Sequence, residues 1–78
     1  MDSSIIFFAS QISQSSDIKK NERLIIEFIT NLNLRFSNDE YKSKLKDLLT
    51  CLEKPKGNSA TARNAYDNAE KIITGYLK

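Results

Sequence analysis

Three groups of side chains in this 78-residue chain have types and spacings that could do chemistry. Asp39 and Glu40 are adjacent, and Asp67 and Glu70 share one helix face, so either pair could supply an acid and a base. Cys51 falls near Lys44 on a helical wheel, where an ammonium group could favour the thiolate. The composition weighs against all three, because the chain has no histidine, no tryptophan and one cysteine. Without histidine, neither carboxylate pair gains the partner most often used in acid–base sites. A lone cysteine makes no internal disulfide and holds no zinc unless chains associate. Each group also has a plainer explanation. Asp39 and Glu40 stand where a helix start attracts negative charge. Arg63, Asp67 and Lys71, spaced by four, form a solvated ion-pair stripe. Cysteine often sits half-buried as a small hydrophobe. The expectation is a protein that binds rather than catalyses, with no cofactor and no metal.

The lysines raise a second possibility, an anionic partner. Lys42, Lys44 and Lys46 radiate to different sides of one helix, and Asp47 and Glu53 interrupt them. Lys54 and Lys56 are close together and meet Lys78 only if the fold brings the chain end there. Twelve basic and ten acidic residues leave a net charge of +2, far from the lopsided balance of a nucleic-acid binder. That class is not favoured, and a solvated lysine face is the plainer reading.

The length sets one domain, residues 1–78, with a thin core that a partner or self-association would help to stabilise. Hydrophobic and charged fractions of 40% and 28% are those of a globular chain. No apolar run approaches the span of a bilayer. Asp2 stands where a signal peptide would be basic, and Ile5-Ile6-Phe7-Phe8-Ala9 is too short an apolar region. A cytoplasmic location follows as an expectation.

Four segments are needed to position these residues. Asn58 or Ser59 caps a helix running to about Tyr76. Ala62, Ala65, Tyr66, Ala69, Ile72, Ile73 and Tyr76 share one of its faces, and the alanines imply close approach of a neighbouring helix. Before it, Ser37-Asn38-Asp39-Glu40 reads as a capping box, with Phe36 and Tyr41 as its staple. Tyr41, Leu45, Leu48, Leu49 and Leu52 form the buried stripe, and Lys54-Pro55-Lys56-Gly57 ends the helix. A third helix runs from Asn21 to about Arg35 with Leu24, Ile25, Phe28, Ile29 and Leu32 inward. The first segment carries Ile5, Phe8, Ala9 and Ile12 at helical spacing, capped by Ser3 or Ser4, although its sequence also suits a strand. No partner strand is visible, so helix is the reading taken, with Gln11 to Asp17 as the break. Short connectors then set sequential helices side by side, giving an all-α, antiparallel up-down bundle of three to four helices.

The partner-binding candidates come from what this arrangement leaves over. Ile26, Thr30 and Leu34 form a second line on the Asn21–Arg35 helix, pointing away from its main stripe. A helix apolar on two sides is either sandwiched or exposes a sticky surface. The expectation is that Ile26 and Leu34 cover the first segment; left exposed, they would mark a docking site or a homodimer interface. Lys54 and Lys56, with the terminal Tyr76-Leu77-Lys78, complete the candidates. Ala62-x-x-x-Tyr66-x-x-Ala69 matches the second helix of a tetratricopeptide repeat, but the first-helix signature is missing and one unit cannot stack.

From Asn21 to the end, the chain resembles the immunity proteins of pediocin-like (enterocin A type) bacteriocins. An isoleucine- and leucine-rich helix, Glu22 to Phe36, leads into Glu40-Tyr41-x-x-x-Leu45. A leucine-rich helix follows and ends at Leu52-Glu53-Lys54. After a polar loop come Ala62-Arg63-Asn64-Ala65-Tyr66-Asp67-Asn68-Ala69 and a basic-tinged tail. The resemblance implies a cytosolic antiparallel four-helix bundle without cofactor or catalysis. It also implies a partner, the membrane sugar-permease receptor that the bacteriocin attacks, engaged from inside the cell. Family members carry a further C-terminal helix and tail that contribute to specificity; the resemblance here ends at their third helix, and the segment before Asn21 is additional. The alternative is a small regulatory or adaptor protein that binds a helical partner or self-associates.

Overall fold

Four side chains, two aspartates and two serines, start the four helices. In the computed structural model, which describes residues 2–78, these helices are α1 (Ser3–Ser13), α2 (Ile18–Arg35), α3 (Asn38–Cys51) and α4 (Ala60–Leu77). Each start is capped by an oxygen that accepts an otherwise orphaned backbone N–H. Asp2 accepts from the Ser4 N–H at 2.9 Å, so the cap lies one residue before the serines expected to provide it. Asp17 accepts from Lys20 at 3.1 Å and starts α2 three residues ahead of Asn21. Ser37 caps α3 as expected, and of the two candidates for α4, Asn58 and Ser59, it is Ser59 that accepts, from the Ala62 N–H. The capping box closes in its own way: the Ser37 hydroxyl accepts from the Glu40 N–H at 3.3 Å and donates to the Glu40 carboxylate at 3.1 Å.

Two helix ends differ from expectation. α1 continues through the serines to Ser13, which narrows the break to residues 14–17. α3 stops at Cys51, before proline forces it to, because Leu52 turns extended and is buried in the core. Neither Gly57 nor Gly75 adopts positive φ.

The first segment is a helix, as expected. The chain is all-α, and α1 and α3 run in the same direction, as an up-down order requires. Lys44 meets Asp2 at 3.5 Å toward one end, and the Glu53 N–H donates to the Ser13 hydroxyl at 3.1 Å toward the other. The most extensive packing joins α1 to α3 and α2 to α4, with α3 also against α4 and α2. Sequential neighbours are therefore not always the main partners. α1 leans chiefly on α3, held at both ends by those polar contacts, and meets α2 through the rings of Phe8 and Phe28.

The core lies where the four apolar stripes converge. Ile5, Phe8, Ala9 and Ile12 of α1 are all buried, as are Ile25, Ile29 and Leu32 of α2. Tyr41, Leu45 and Leu48 of α3 join them, with Leu52 just beyond its end and Ala65, Ala69 and Ile73 of α4. Among the described residues, Asn21 is the one polar residue of the buried set, 2% exposed. Its amide donates to the carbonyls of Ser15 at 3.0 Å and Ile12 at 3.4 Å, closing the end of α1. Ile26 and Leu34 do not cover α1. They remain exposed because α1 packs chiefly against α3 rather than over the outer line of α2.

Candidate interaction surface

The outer line of α2 meets α4 in a shallow groove of about 420 Å³. Ile26 and Ile72 line it from the two helices, with Tyr76, Asn68 and Gly75. Glu22 stands on the α2 wall and Lys71 on the α4 wall. Ile26 is 38% exposed and Tyr76 43% exposed, substantial for side chains this apolar. The structure therefore brings together two residues that the sequence had placed in separate candidate groups. Lys19, Arg23 and Glu27 continue the α2 side beyond Ile26.

The other candidates disperse. Leu34 is 80% exposed and lies outside this groove. Thr30 donates its hydroxyl to the carbonyl of Ile26 at 2.8 Å, which satisfies it within its own helix. Leu77 is half-buried and packs against the core, while Lys78 is exposed. Lys54 and Lys56 precede α4, roughly 25 Å along that helix from Tyr76. Lys56 lines a separate cavity of about 220 Å³ with Ile12, Leu52, Pro55 and Tyr66. Lys54 borders a smaller polar hollow with Arg63, Asp67 and Glu70. The lysines and the groove are distinct surfaces.

The groups with chemical potential have local roles. Lys44 directs its ammonium to the Asp2 carboxylate and to the face of the Phe36 ring, 4.5 Å from the centroid. Cys51 is half-buried against the core. Glu70 accepts from the Tyr66 hydroxyl at 3.2 Å. Burial, then the charge of Glu70, pushes the Tyr66 phenol up from its ordinary value. Burial, then the nearby Tyr76, does the same for Tyr41. The Asp2 carboxyl is held below its ordinary value, first by the Ser4 backbone N–H and then by the Ser4 hydroxyl. No cluster of three or more His, Cys, Asp or Glu residues is placed to hold a metal among the described residues.

Sequence reasoning missed Phe7, 73% exposed, and its neighbour Ile6. The signal was present, since Phe7 lies opposite the arc of Ile5, Phe8 and Ile12 on the wheel. Gly75 was also missed; a helical glycine reads as a propensity defect until its neighbours are known. No helix among the described residues is long and apolar enough to cross a membrane. Compared with models of known families, with characterised proteins and with solved structures, the chain matches none.

Proposed function

We propose that this chain is a self-immunity protein against a pediocin-like bacteriocin, acting without catalysis by protein–protein contact. Its partner would be the sugar-permease receptor at the cytoplasmic face of the membrane, with the bacteriocin bound. The reading is supported by the resemblance over residues 21–78, whose pattern coincides with three amphipathic helices, α2 to α4. The observation that carries it is the apolar surface on that unit, where Ile26 and Tyr76 adjoin in one groove and Leu34 stands clear of it. Adjoining exposed apolar groups rimmed by charge are a feature of interaction sites.

The test is co-purification of the tagged chain with the permease from sensitive cells. Capture that depends on added pediocin-like peptide supports the reading. Capture of no permease in either condition contradicts it.

A second reading, an adaptor that binds a helical partner or self-associates, is favoured by the shape of the groove. Two neighbouring helices with an apolar floor suit a third helix laid between them.

A further inference from the structure

Residues 3–16 are fourteen in a row without a charge, a proline or a glycine, in a chain of which 28% is charged. The next longest uncharged run, residues 28–34, is half that length. Within the first run, Ser4-Ile5-Ile6-Phe7-Phe8-Ala9 combines β-branched and aromatic side chains that favour extended backbone. What a strand lacks within a single chain is a partner, and the same segment of another copy supplies one. Stacking identical strands in register sets each side chain over its own copy. An uncharged segment tolerates that arrangement, whereas a charged one repels itself.

The helix covers this segment incompletely. α1 buries Ile5, Phe8, Ala9 and Ile12 but leaves Ile6 and Phe7 exposed. In a strand, Ile5, Phe7 and Ala9 share one face and Ile6 and Phe8 the other, so stacked sheets cover both phenylalanines. Gln11 and Gln14 then stack as side-chain amide ladders. The bundle also lets α1 go most readily. α2, α3 and α4 each pack against the other two, whereas α1 leans chiefly on α3. Its release leaves the other three mutually packed. The four buried side chains oppose that release, so the open form is rare.

We propose that residues 4–9 are a latent self-assembly segment, held within α1 in the folded chain. Once α1 leaves the bundle, they pair as a β-strand with the same segment of other copies. The assembly is a stack of many chains, and it is independent of whichever partner the folded chain binds.

Agitating the full chain at its own unfolding midpoint tests this. The expected product is fibrous, with a strand spacing of about 4.7 Å in X-ray diffraction. Protease digestion of the fibres, read by mass spectrometry, leaves residues 4–9 within the protected fragment. Phe7→Lys keeps the parent's helicity because that side chain is exposed in α1, yet it lengthens the lag before assembly by about tenfold or more. Leu34→Lys, exposed in the competing run, assembles like the parent. Each variant is compared at its own midpoint, so altered stability does not enter. A chain that stays dispersed, or precipitates without that spacing, overturns the proposal. Protection of residues 28–34 in place of 4–9, or a Phe7→Lys chain that assembles as fast as the parent, overturns the assigned segment.

Discussion

Phe8 of α1 and Phe28 of α2 stack with ring centroids 4.1 Å apart and planes inclined by 5°. Phe8 is buried and Phe28 half-buried, so the stack closes one side of the core where α1 and α2 otherwise touch little. In a bundle this small, one such joint holds a large share of the total stability. Phe8→Ala removes a buried ring and leaves a cavity, a change that typically costs about 3–5 kcal/mol. Small domains carry roughly 5–15 kcal/mol in all. Thermal unfolding followed by circular dichroism should drop by more than about 12 °C. A drop of only a few degrees would show that α1 is not integral to the core.

Asn21 supplies a donor where two carbonyls converge, and the geometry fixes what a replacement can do. Its amide faces Ser15 and Ile12, while its own carbonyl oxygen is buried with no partner among the described residues. Asn21→Asp places a carboxyl against those carbonyls without changing shape. Burial and facing carbonyls disfavour the charged form, raising the folded-state value of the introduced group above about 3.9. The sign follows: the variant approaches the parent in stability below about pH 4 and falls behind as pH rises through the raised value. Urea midpoints for both proteins between pH 3 and 7 measure this. A gap that stays constant with pH would contradict the assignment of the donor.

Asp2 behaves in the opposite sense. Its carboxyl is held below 3.8 by the Ser4 backbone N–H and hydroxyl, with a further contribution from Lys44. A depressed folded-state value stabilises the fold at pH values above the unfolded one, and the effect is lost as pH falls through the folded one. Asp2→Asn keeps a capping side chain but removes the titration. The variant should lose less stability than the parent on acidification from pH 6 to pH 3. Carbon-detected NMR titration of the Asp2 carboxyl should give a midpoint below 3.8, and a midpoint above that value would refute the assigned hydrogen bonds.

Gly75→Ala separates the needs of the isolated fold from those of the groove. The open space at its Cβ lets alanine enter without strain, and because Gly75 lies in the last turn of α4 the dilute monomer gains no more than about 0.5 kcal/mol. Unfolding at micromolar concentration should shift upward by up to about 4 °C. A downward shift would mean that the space around Gly75 is occupied in the working protein.

The all-α class and the four inward stripes were legible in the sequence because helical spacing fixes which side chains share a face. Ile5, Phe8, Ala9 and Ile12 have helical spacing but residue preferences that also suit a strand, and the absence of any partner strand in the sequence decides for helix, which the structure bears out. Ser37 is legible as a cap from its capping box, whereas the sequence leaves the α4 cap open between Asn58 and Ser59, and Ser59 takes it. What the sequence left open was which helix leans on which. Periodicity gives each helix its apolar face but not its partner. Ile26 and Leu34 were therefore expected beneath α1, which packs chiefly on α3 instead. The groove was half legible: Ile26 and Tyr76 were identified singly, but their meeting depends on the α2–α4 pairing, and Gly75, Glu22 and Lys71 gain meaning only once that pairing is known.

The most direct test of the proposed function is protection. The chain is expressed inside Gram-positive cells sensitive to pediocin-like bacteriocins, alongside Leu34→Lys and Ile26→Lys variants, and the cells are challenged with a panel of such peptides. The expected result is survival against at least one peptide with the parent chain, reduced by one or both variants at equal protein level. Uniform killing of cells that demonstrably contain the folded chain would contradict the immunity reading for that panel.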